Sequence, residues 1–282
     1  MKIQQTILEW YSTNKRNLPW RTTNNPYSIV VSEIMLQQTQ VDRVIPKYNH
    51  FLKKFPTIEA LAQASSAAII NEWAGLGYNR RALYLHKFAQ AVVNQHKGII
   101  PSSREQLLEL PGIGPYTSQA IRCFGFHKDV PVVDINIKRV YSRIFFRGEG
   151  SENELQNIAR ELIPNNNGVV WNNALMDFGA TMCMDKPKCG KCPLTQQCSA
   201  YKSGNPEKYL KPKKQSTFLG SNRYYRSLII KELRNNKHFK SSIKRIRQLM
   251  PQDKTEEWFE KIIQSLERDG LVIRKKDNVS LP

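Results

Sequence analysis

The chain has 282 residues, 40% of them apolar, with 43 Lys or Arg against 24 Asp or Glu. This length allows two or three modest domains with real cores, and the net charge of +19 points to a polyanionic partner. No run of 18 apolar residues occurs, which excludes a membrane-spanning helix, and the amphipathic start MKIQQTILEWYSTNKR lacks the apolar centre of a secretion signal. The expected location is therefore the cytoplasm.

Residues 1–201 read as nearly all helix. Apolar residues recur at spacings of three and four, as in Ile29, Val30, Ile34, Met35, Leu36 and then Val41, Val44, Ile45, Tyr48, Phe51, Leu52. Proline and glycine punctuate at Pro56, Gly98, Pro101, the Pro111–Gly114 stretch, Pro131 and Pro164. These breaks predict helices near 29–40, 41–55, 57–64, 66–75, 79–97, 104–110, 115–127, 134–146, 151–163 and 168–182. No strand-like alternation and no internal repeat is visible.

Residues 202–222 are rich in Lys, Pro, Gly and Ser and read as a linker. Residues 223–282 recover periodicity: one helix through Leu228–Leu233, a second through Ile243–Leu249, a third through Trp258–Leu266. Gly270–Arg274 and Asp277–Leu281 then suggest a β-hairpin. Three helices and a hairpin make a winged-helix-like plan, which serves either DNA contact or protein docking. Residues 202–282 carry a net +11 and residues 1–201 a net +8, so both parts are basic.

Two segments carry chemistry. In Leu110-Pro111-Gly112-Ile113-Gly114 a helix ends, a glycine-bearing turn follows, and a second helix starts with its N–H groups unpaired. Such a helix start is suited to a DNA phosphate, read without regard to sequence. Twenty residues beyond Gly114, Asp134 stands between an apolar run and a new helix. There it reads as an N-cap whose carboxylate stays ionised, and an ionised carboxylate facing a cleft stabilises a sugar cation.

Four of the five cysteines, Cys183, Cys189, Cys192 and Cys198, fall within sixteen residues, which in a cytosolic chain argues for a metal site over disulfides. Four thiolates suit zinc or an iron–sulfur cluster; the single short C-x2-C pair leans toward iron–sulfur. Cys123 reads as a core residue, and the five histidines form no ligand pattern.

The hairpin motif, the following Asp and the cysteine loop together resemble the endonuclease III-like, helix-hairpin-helix branch of DNA glycosylases. Val31-Ser32-Glu33-Ile34-Met35-Leu36-Gln37-Gln38-Thr39-Gln40-Val41 narrows the resemblance to the A/G-specific adenine glycosylases (the MutY family). Leu18-Pro19-Trp20-Arg21, Gly75-Leu76-Gly77-Tyr78 and Met176-Asp177-Phe178-Gly179-Ala180 also match, and the likeness covers about residues 5–200. It implies an all-α, two-lobed fold with an iron–sulfur loop, to which residues 223–282 add a small α+β winged-helix-like domain. It also implies a [4Fe–4S] cluster on the four cysteines, and as partner a double-stranded DNA holding a mismatch or an oxidised guanine, bound by a monomer associated with the nucleoid.

By the same resemblance the target base is flipped out of the duplex. Glu33, among apolar neighbours that favour a raised pKa, protonates the departing base. Asp134 stabilises the oxocarbenium-like transition state, water attacks C1′, and Tyr116 and Asn136 complete the catalytic group. Tyr116 stands where bifunctional relatives place a lysine, and no lysine lies between Gly112 and Ile121, so strand nicking is not expected. Arg16, Trp20, Arg21, Leu36 and Asn173 fall to the base pocket or DNA contact, and Gly112 and Gly114 to the backbone contact. Gln38 would fill the gap left by the flipped base, and Tyr78 would insert beside its partner. Lys186, Lys188 and Lys191 would face phosphates.

Four departures from the family pattern stand out. The first cysteine spacing is five where six is usual, and Ile135 replaces a glycine after Asp134. Asn173 stands where a longer Gln or Glu contacts adenine, and residues 202–282 are too short for the Nudix-like domain that many members carry. Removal of adenine opposite 8-oxoguanine or G is the leading expectation. The alternative is removal of thymine or uracil opposite G; a third reading, a DNA-binding regulator without catalysis, is disfavoured by the intact pair Glu33 and Asp134.

Overall fold

A computed structural model of the protein describes residues 2–209, 211 and 215–282. Within the expected linker, residues 210 and 212–214 lie outside the described ones. In chain order the helices are α1 (Lys2–Asn14), α2 (Pro26–Leu36), α3 (Val41–Lys54), α4 (Ile58–Gln63), α5 (Ser66–Glu72), α6 (Arg80–His96), α7 (Arg104–Glu109) and α8 (Pro115–Ala120). They continue with α9 (Ile135–Phe146), α10 (Glu152–Glu161), α11 (Gly168–Thr181), α12 (Ser199–Lys202) and α13 (Asn222–Asn235). Strand β1 (Lys240–Ser242) precedes α14 (Ile243–Gln248) and α15 (Glu256–Arg268), and β2 (Ile273–Lys275) and β3 (Asn278–Ser280) close the chain. No helix among the described residues is long and apolar enough to cross a membrane.

Local chemistry sets the helix ends. Pro26 opens α2 at a position where its missing N–H is no loss. The helix stops at Leu36, short of the expected residue 40, because Gln38 takes a left-handed φ of +55°. Side-chain oxygens of Thr57, Ser65, Ser221 and Thr255 cap α4, α5, α13 and α15. Ser151 and Glu154 form a reciprocal capping box on α10. The helix expected over 115–127 is α8 followed directly by a π-helical turn, Ile121–Gly125. The amphipathic N-terminal stretch forms α1, which the predicted set, beginning at 29, did not include.

The chain folds into two compact units that interleave in sequence. One takes in residues up to 30, 102–109 and 113–213. Its main core joins Ile7 of α1, Ile137, Val140, Tyr141 and Ile144 of α9, and Trp171, Leu175 and Phe178 of α11, with Leu194 from the cysteine loop. A smaller cluster of Ala120, Cys123 and Val132 lies behind the α8 turn, where Cys123 is fully buried, as expected of a core thiol.

The other unit comprises residues 31–101, 110–112 and 214–282. Helix α15 lays Phe259, Ile262, Ile263 and Leu266 on one face, against Ile229, Ile230 and Leu233 of α13 and Val272, Val279 and Leu281. The sheet order is β1-β3-β2, all antiparallel, with Ser241 opposite Val279 and Arg274 opposite Val279. Three helices with a wing-like hairpin are thus present in the C-terminal segment. Ile70 and Leu83 are buried in this same cluster. Burial of those two side chains is why packing groups the C-terminal segment with 31–101, although composition separates them along the sequence.

Candidate active site

The hairpin motif links α7 to α8. Gly112 adopts φ +80°, and a Cβ there would meet Tyr84 Cβ at 2.8 Å, so only glycine fits. Gly114 differs: it is an extended residue at the N-cap of α8, and a Cβ would meet nothing within 4 Å. Its smallness leaves open space at the helix start and is not a backbone requirement. Pro115 follows at the first helical position, and Tyr116 is half-buried beside it.

Asp134 caps α9 as its sequence position predicts. One carboxylate oxygen accepts the Ile137 N–H at 2.7 Å, and the other accepts from Asn136 Nδ2 at 2.8 Å. Arg139 then donates to Asn136 Oδ1 at 2.9 Å, to Gly179 O at 2.6 Å and to Cys183 O at 2.7 Å. A continuous polar chain therefore runs from the capping carboxylate to the first cysteine. Burial pushes the Asp134 carboxyl above its ordinary value, against the pull of the Ile137 N–H, the Asn136 amide and the Arg139 charge. The ionised state expected of a simple N-cap is thus opposed by its surroundings. Ile135, which stands where the family has a glycine, is 46% exposed.

Helix α11 braces this site. A Cβ on Gly179 would stand 2.7 Å from Asn136 Cβ, so glycine lets α11 approach the first turn of α9. Asn172 is buried; it accepts from Val132 N at 2.9 Å and donates to Val130 O at 3.0 Å and Gly168 O at 2.8 Å. It ties down the extended segment leading to Asp134. Asn173, the expected base contact, is half-buried on the same helix.

Arg16 and Arg21 meet on Asp177, which is fully buried. Arg16 Nε donates to Oδ1 at 2.6 Å, while Arg21 grips both oxygens at 2.7 and 2.8 Å. Trp20, between them in sequence, is buried. The pair holds the N-terminal segment onto α11. Burial alone would raise the Asp177 carboxyl, but the two guanidiniums outweigh it and hold the group below its ordinary value.

Glu33, Leu36, Gln38 and Tyr78 belong to the other unit. Glu33 is 7% exposed on α2, where Ile29, Val30, Val31, Ile34 and Met35 are buried around it in sequence. Leu36 is half-buried at the helix end, and Gln38 is exposed just beyond it. Arg81, buried on α6, donates to the carbonyls of Ile34, Met35, Gln37, Leu76 and Gly77 and to Thr39 Oγ1. It pins the loop after α2 to the loop before α6. Tyr78 tips the second loop at φ +46° and is 41% exposed. Sequence reasoning passed over Arg81, Arg139, Asn172 and Gly179 as site-building residues. Only Gly179 carried a signal, within the matched motif; the others act through contacts remote in sequence.

All four cysteines of the loop line one small pocket with Phe178, Met182, Pro187 and Leu194. Burial raises the Cys183, Cys189 and Cys192 thiols, and their mutual repulsion adds to it; Cys192 is pushed up to about 11. Arg143, 1% exposed, donates to Cys183 Sγ at 3.4 Å and to the carbonyls of Cys183, Met184, Asp185, Glu207 and Lys208. Tyr209 stacks over Arg143 and Arg139, 4.9 and 5.4 Å from its ring centre. Among the described residues no three His, Cys, Asp or Glu groups converge as a single metal ion requires. The thiols surround a space and do not meet at a point.

Residues 31–165 match the family of HhH-GPD superfamily base excision DNA repair proteins. The chain is 37% identical over 235 residues to the adenine DNA glycosylase of Mycolicibacterium smegmatis, spanning 82% of this chain and 80% of that one. A thymine/uracil-DNA glycosylase of Methanothermobacter thermautotrophicus is 36% identical over 204 residues, 70% of this chain and 91% of the relative. Among solved structures, a thermostable thymine-DNA glycosylase superposes with a TM-score of 0.68 at 34% identity, over 72% of this chain and 96% of the other. With its glycine hairpin, its capping Asp134 and its buried Glu33, the chain belongs to the adenine DNA glycosylase family of HhH-GPD base excision DNA repair proteins, and it is a DNA N-glycosylase.

Proposed function

We propose that the base removed is adenine opposite 8-oxoguanine or G, and that removal proceeds by hydrolysis without strand cleavage. The observation that carries the reading is Glu33, an acid buried to 7% exposure on a largely apolar helix, in a relative of adenine glycosylases. A carboxyl held out of water beside a flipped base is placed to donate a proton. Glu33 gives that proton to the departing base as the C1′–N bond breaks. Asp134, in its ionised state, stabilises the cationic sugar, and Asn136 orients it by a 2.8 Å hydrogen bond. Water adds to C1′, and its proton passes to a carboxylate, leaving an abasic site. Tyr116 offers no amine, so no Schiff base forms.

DNA is held by the α8 start at Gly114 and Tyr116, with Gly112 keeping the turn. Asn173 and Leu36 each contact the flipped base, and Arg16 and Arg21, with Trp20 between them in sequence, hold the N-terminal segment onto the Asn173 helix through Asp177. Gln38 and Tyr78 probe the duplex around the flipped base. The chain acts as a monomer in the nucleoid-associated cytoplasm. Residues 223–282 form a separate module by sequence, after the linker 202–222.

The cysteine pocket fits a [4Fe–4S] cluster. Four thiols surround one cavity, and Arg143 faces the Cys183 sulfur. Cys183, Cys189, Cys192 and Cys198 would hold the cluster. When bound, it supplies charge neutralisation for four thiolates and fixes the loop 183–198.

The test uses labelled duplexes with one central A·8-oxoG, A·G, T·G or U·G pair, followed by alkali. Breaks at adenine only after alkali are expected. Glu33→Gln should abolish release while duplex binding persists; release that survives removes Glu33 from the mechanism. The second reading, thymine or uracil removal, is favoured by the similarity to thymine glycosylases and by the short Asn173. Breaks at T·G or U·G alone would establish it.

A further inference from the structure

Gln38 and Tyr78 are exposed, non-glycine residues held at φ +55° and +46°. Left-handed backbone of this kind is retained where the surroundings enforce it, often at functional tips. Arg81 enforces it from beneath, bonding both loops and placing its guanidinium 5.6 Å from the Tyr78 ring centre. What caps the two side chains from the other side comes from the C-terminal segment. Gln215 Nε2 donates to Gln38 Oε1 at 2.8 Å, and Tyr78 Oη donates to Gln215 Oε1 at 2.7 Å. Arg223, in the first turn of α13, donates to Tyr78 Oη at 3.1 Å and to Gln215 Oε1 at 2.7 Å. Its other terminal nitrogen bonds the Ser216 carbonyl at 2.6 Å, which fixes the guanidinium to the residue after Gln215.

Gln38 and Tyr78 thus share the Gln215 amide, and the Arg223 guanidinium bonds both that amide and Tyr78; both groups come from more than 130 residues later in the chain. Neither Gln215 nor Arg223 is buried, so their bonds add little to folding. Each bond instead restricts the rotamer of a side chain that would otherwise be free in solvent. An enzyme that empties one position of a duplex must fill the gap and sense the base left behind. Side chains already held in one orientation do so at lower entropic cost.

We propose that Gln215 and Arg223 are positioning residues for partner-base selection: the C-terminal segment presets Gln38 and Tyr78 and so determines which base opposite the target permits excision. The inference rests on the proposed contact of Gln38 and Tyr78 with DNA. A side chain held in one orientation discriminates between the donor and acceptor patterns that different partner bases present.

The experiment measures single-turnover base release by the full chain, with the target placed opposite 8-oxoguanine, guanine, cytosine and thymine in turn. Arg223→Ala and Gln215→Ala should lower the ratio of release opposite 8-oxoguanine to release opposite cytosine by about tenfold, the scale of one charge-assisted hydrogen bond. Their melting temperatures should match wild type, and Arg223→Lys should restore part of the ratio. Gln215→Ala changes an exposed side chain, so it keeps the test decisive should Arg223→Ala fold poorly. An unchanged ratio in both variants overturns the proposal, as does a uniform loss opposite every partner. Failure of the adenine reading would appear in the wild-type chain itself, whose released base the same panel identifies.

Discussion

Asp134 carries two opposed demands. Its oxygens cap α9 and accept from Asn136, which favours charge, yet burial outweighs them and the carboxyl's pKa is raised. An acid raised on folding adds stability below its unfolded pKa, and that stability is lost as pH rises through the folded value. At neutral pH the carboxyl therefore contributes less stability than it does in acid. Asparagine caps helices as well as aspartate does and carries no charge. Asp134→Asn should melt at or above the wild-type temperature at pH 7 while base release falls by about 100-fold or more. In the wild type, the acid limb of the release rate should lie above the ordinary Asp value of 3.8. A variant that melts lower and still releases base would reverse both assignments. Asp177 shows the contrasting sign. Its pKa is lowered from 3.8 because Arg21 and Arg16 overcome burial, so its contribution is present above pH 3.8 and fades as pH falls through the lower folded value. Asp177→Asn leaves two guanidiniums facing a neutral group and should cost about 3–5 kcal/mol in urea denaturation at pH 7. A loss below about 1 kcal/mol, the level of a surface pair, would mean that the arginines find other partners.

At the scale of elements, most helices were legible because their apolar residues keep the helical period and their breakers are Pro and Gly. The misses have physical causes. Helix α2 ends early because Gln38 turns left-handed, a choice enforced by Arg81 from α6 and not by local propensity. The π turn after α8 likewise has no period of its own to read. The cysteine loop was legible from spacing, and the capping role of Asp134 from its place before a helix. The brace behind Asp134 was not, since Arg139, Asn172 and Gly179 work through contacts far apart in sequence. Gly179 tests that brace. A methyl there meets Asn136 Cβ at 2.7 Å and its carbonyl oxygen at 3.0 Å, so α11 must shift or the first turn of α9 must open. Gly179→Ala should destabilise by about 1–3 kcal/mol and, by moving Asn136 from Asp134, lower base release while duplex binding persists. Thermal melts with gel-shift and release assays separate the three readouts; full release alongside a lowered melt would make Gly179 a packing residue alone.

For the whole molecule the dominant physical fact is charge. A net +19 is larger than local pairing absorbs, and exposed pairs such as Lys138 with Glu152, Lys208 with Glu149 and Lys261 with Glu257 contribute little to stability. An excess of this kind acts at a distance, drawing the chain to polyanionic DNA and making affinity depend on salt through counterion release. Lys186, Lys188 and Lys191 are all exposed in the cysteine loop. Arg143 of α9 ties down the start of the loop through the carbonyls of Cys183, Met184 and Asp185, so these lysines ride on a braced frame. If they meet phosphates, replacing all three with alanine should reduce the slope of log affinity against log salt by up to about 0.9 per lysine. Binding to matched and mismatched duplexes should weaken equally, because phosphates carry no sequence information. Fluorescence anisotropy across a salt series measures both quantities. A slope that stays at the wild-type value would place the loop lysines away from the DNA and leave the excess charge elsewhere on the molecule to account for the attraction.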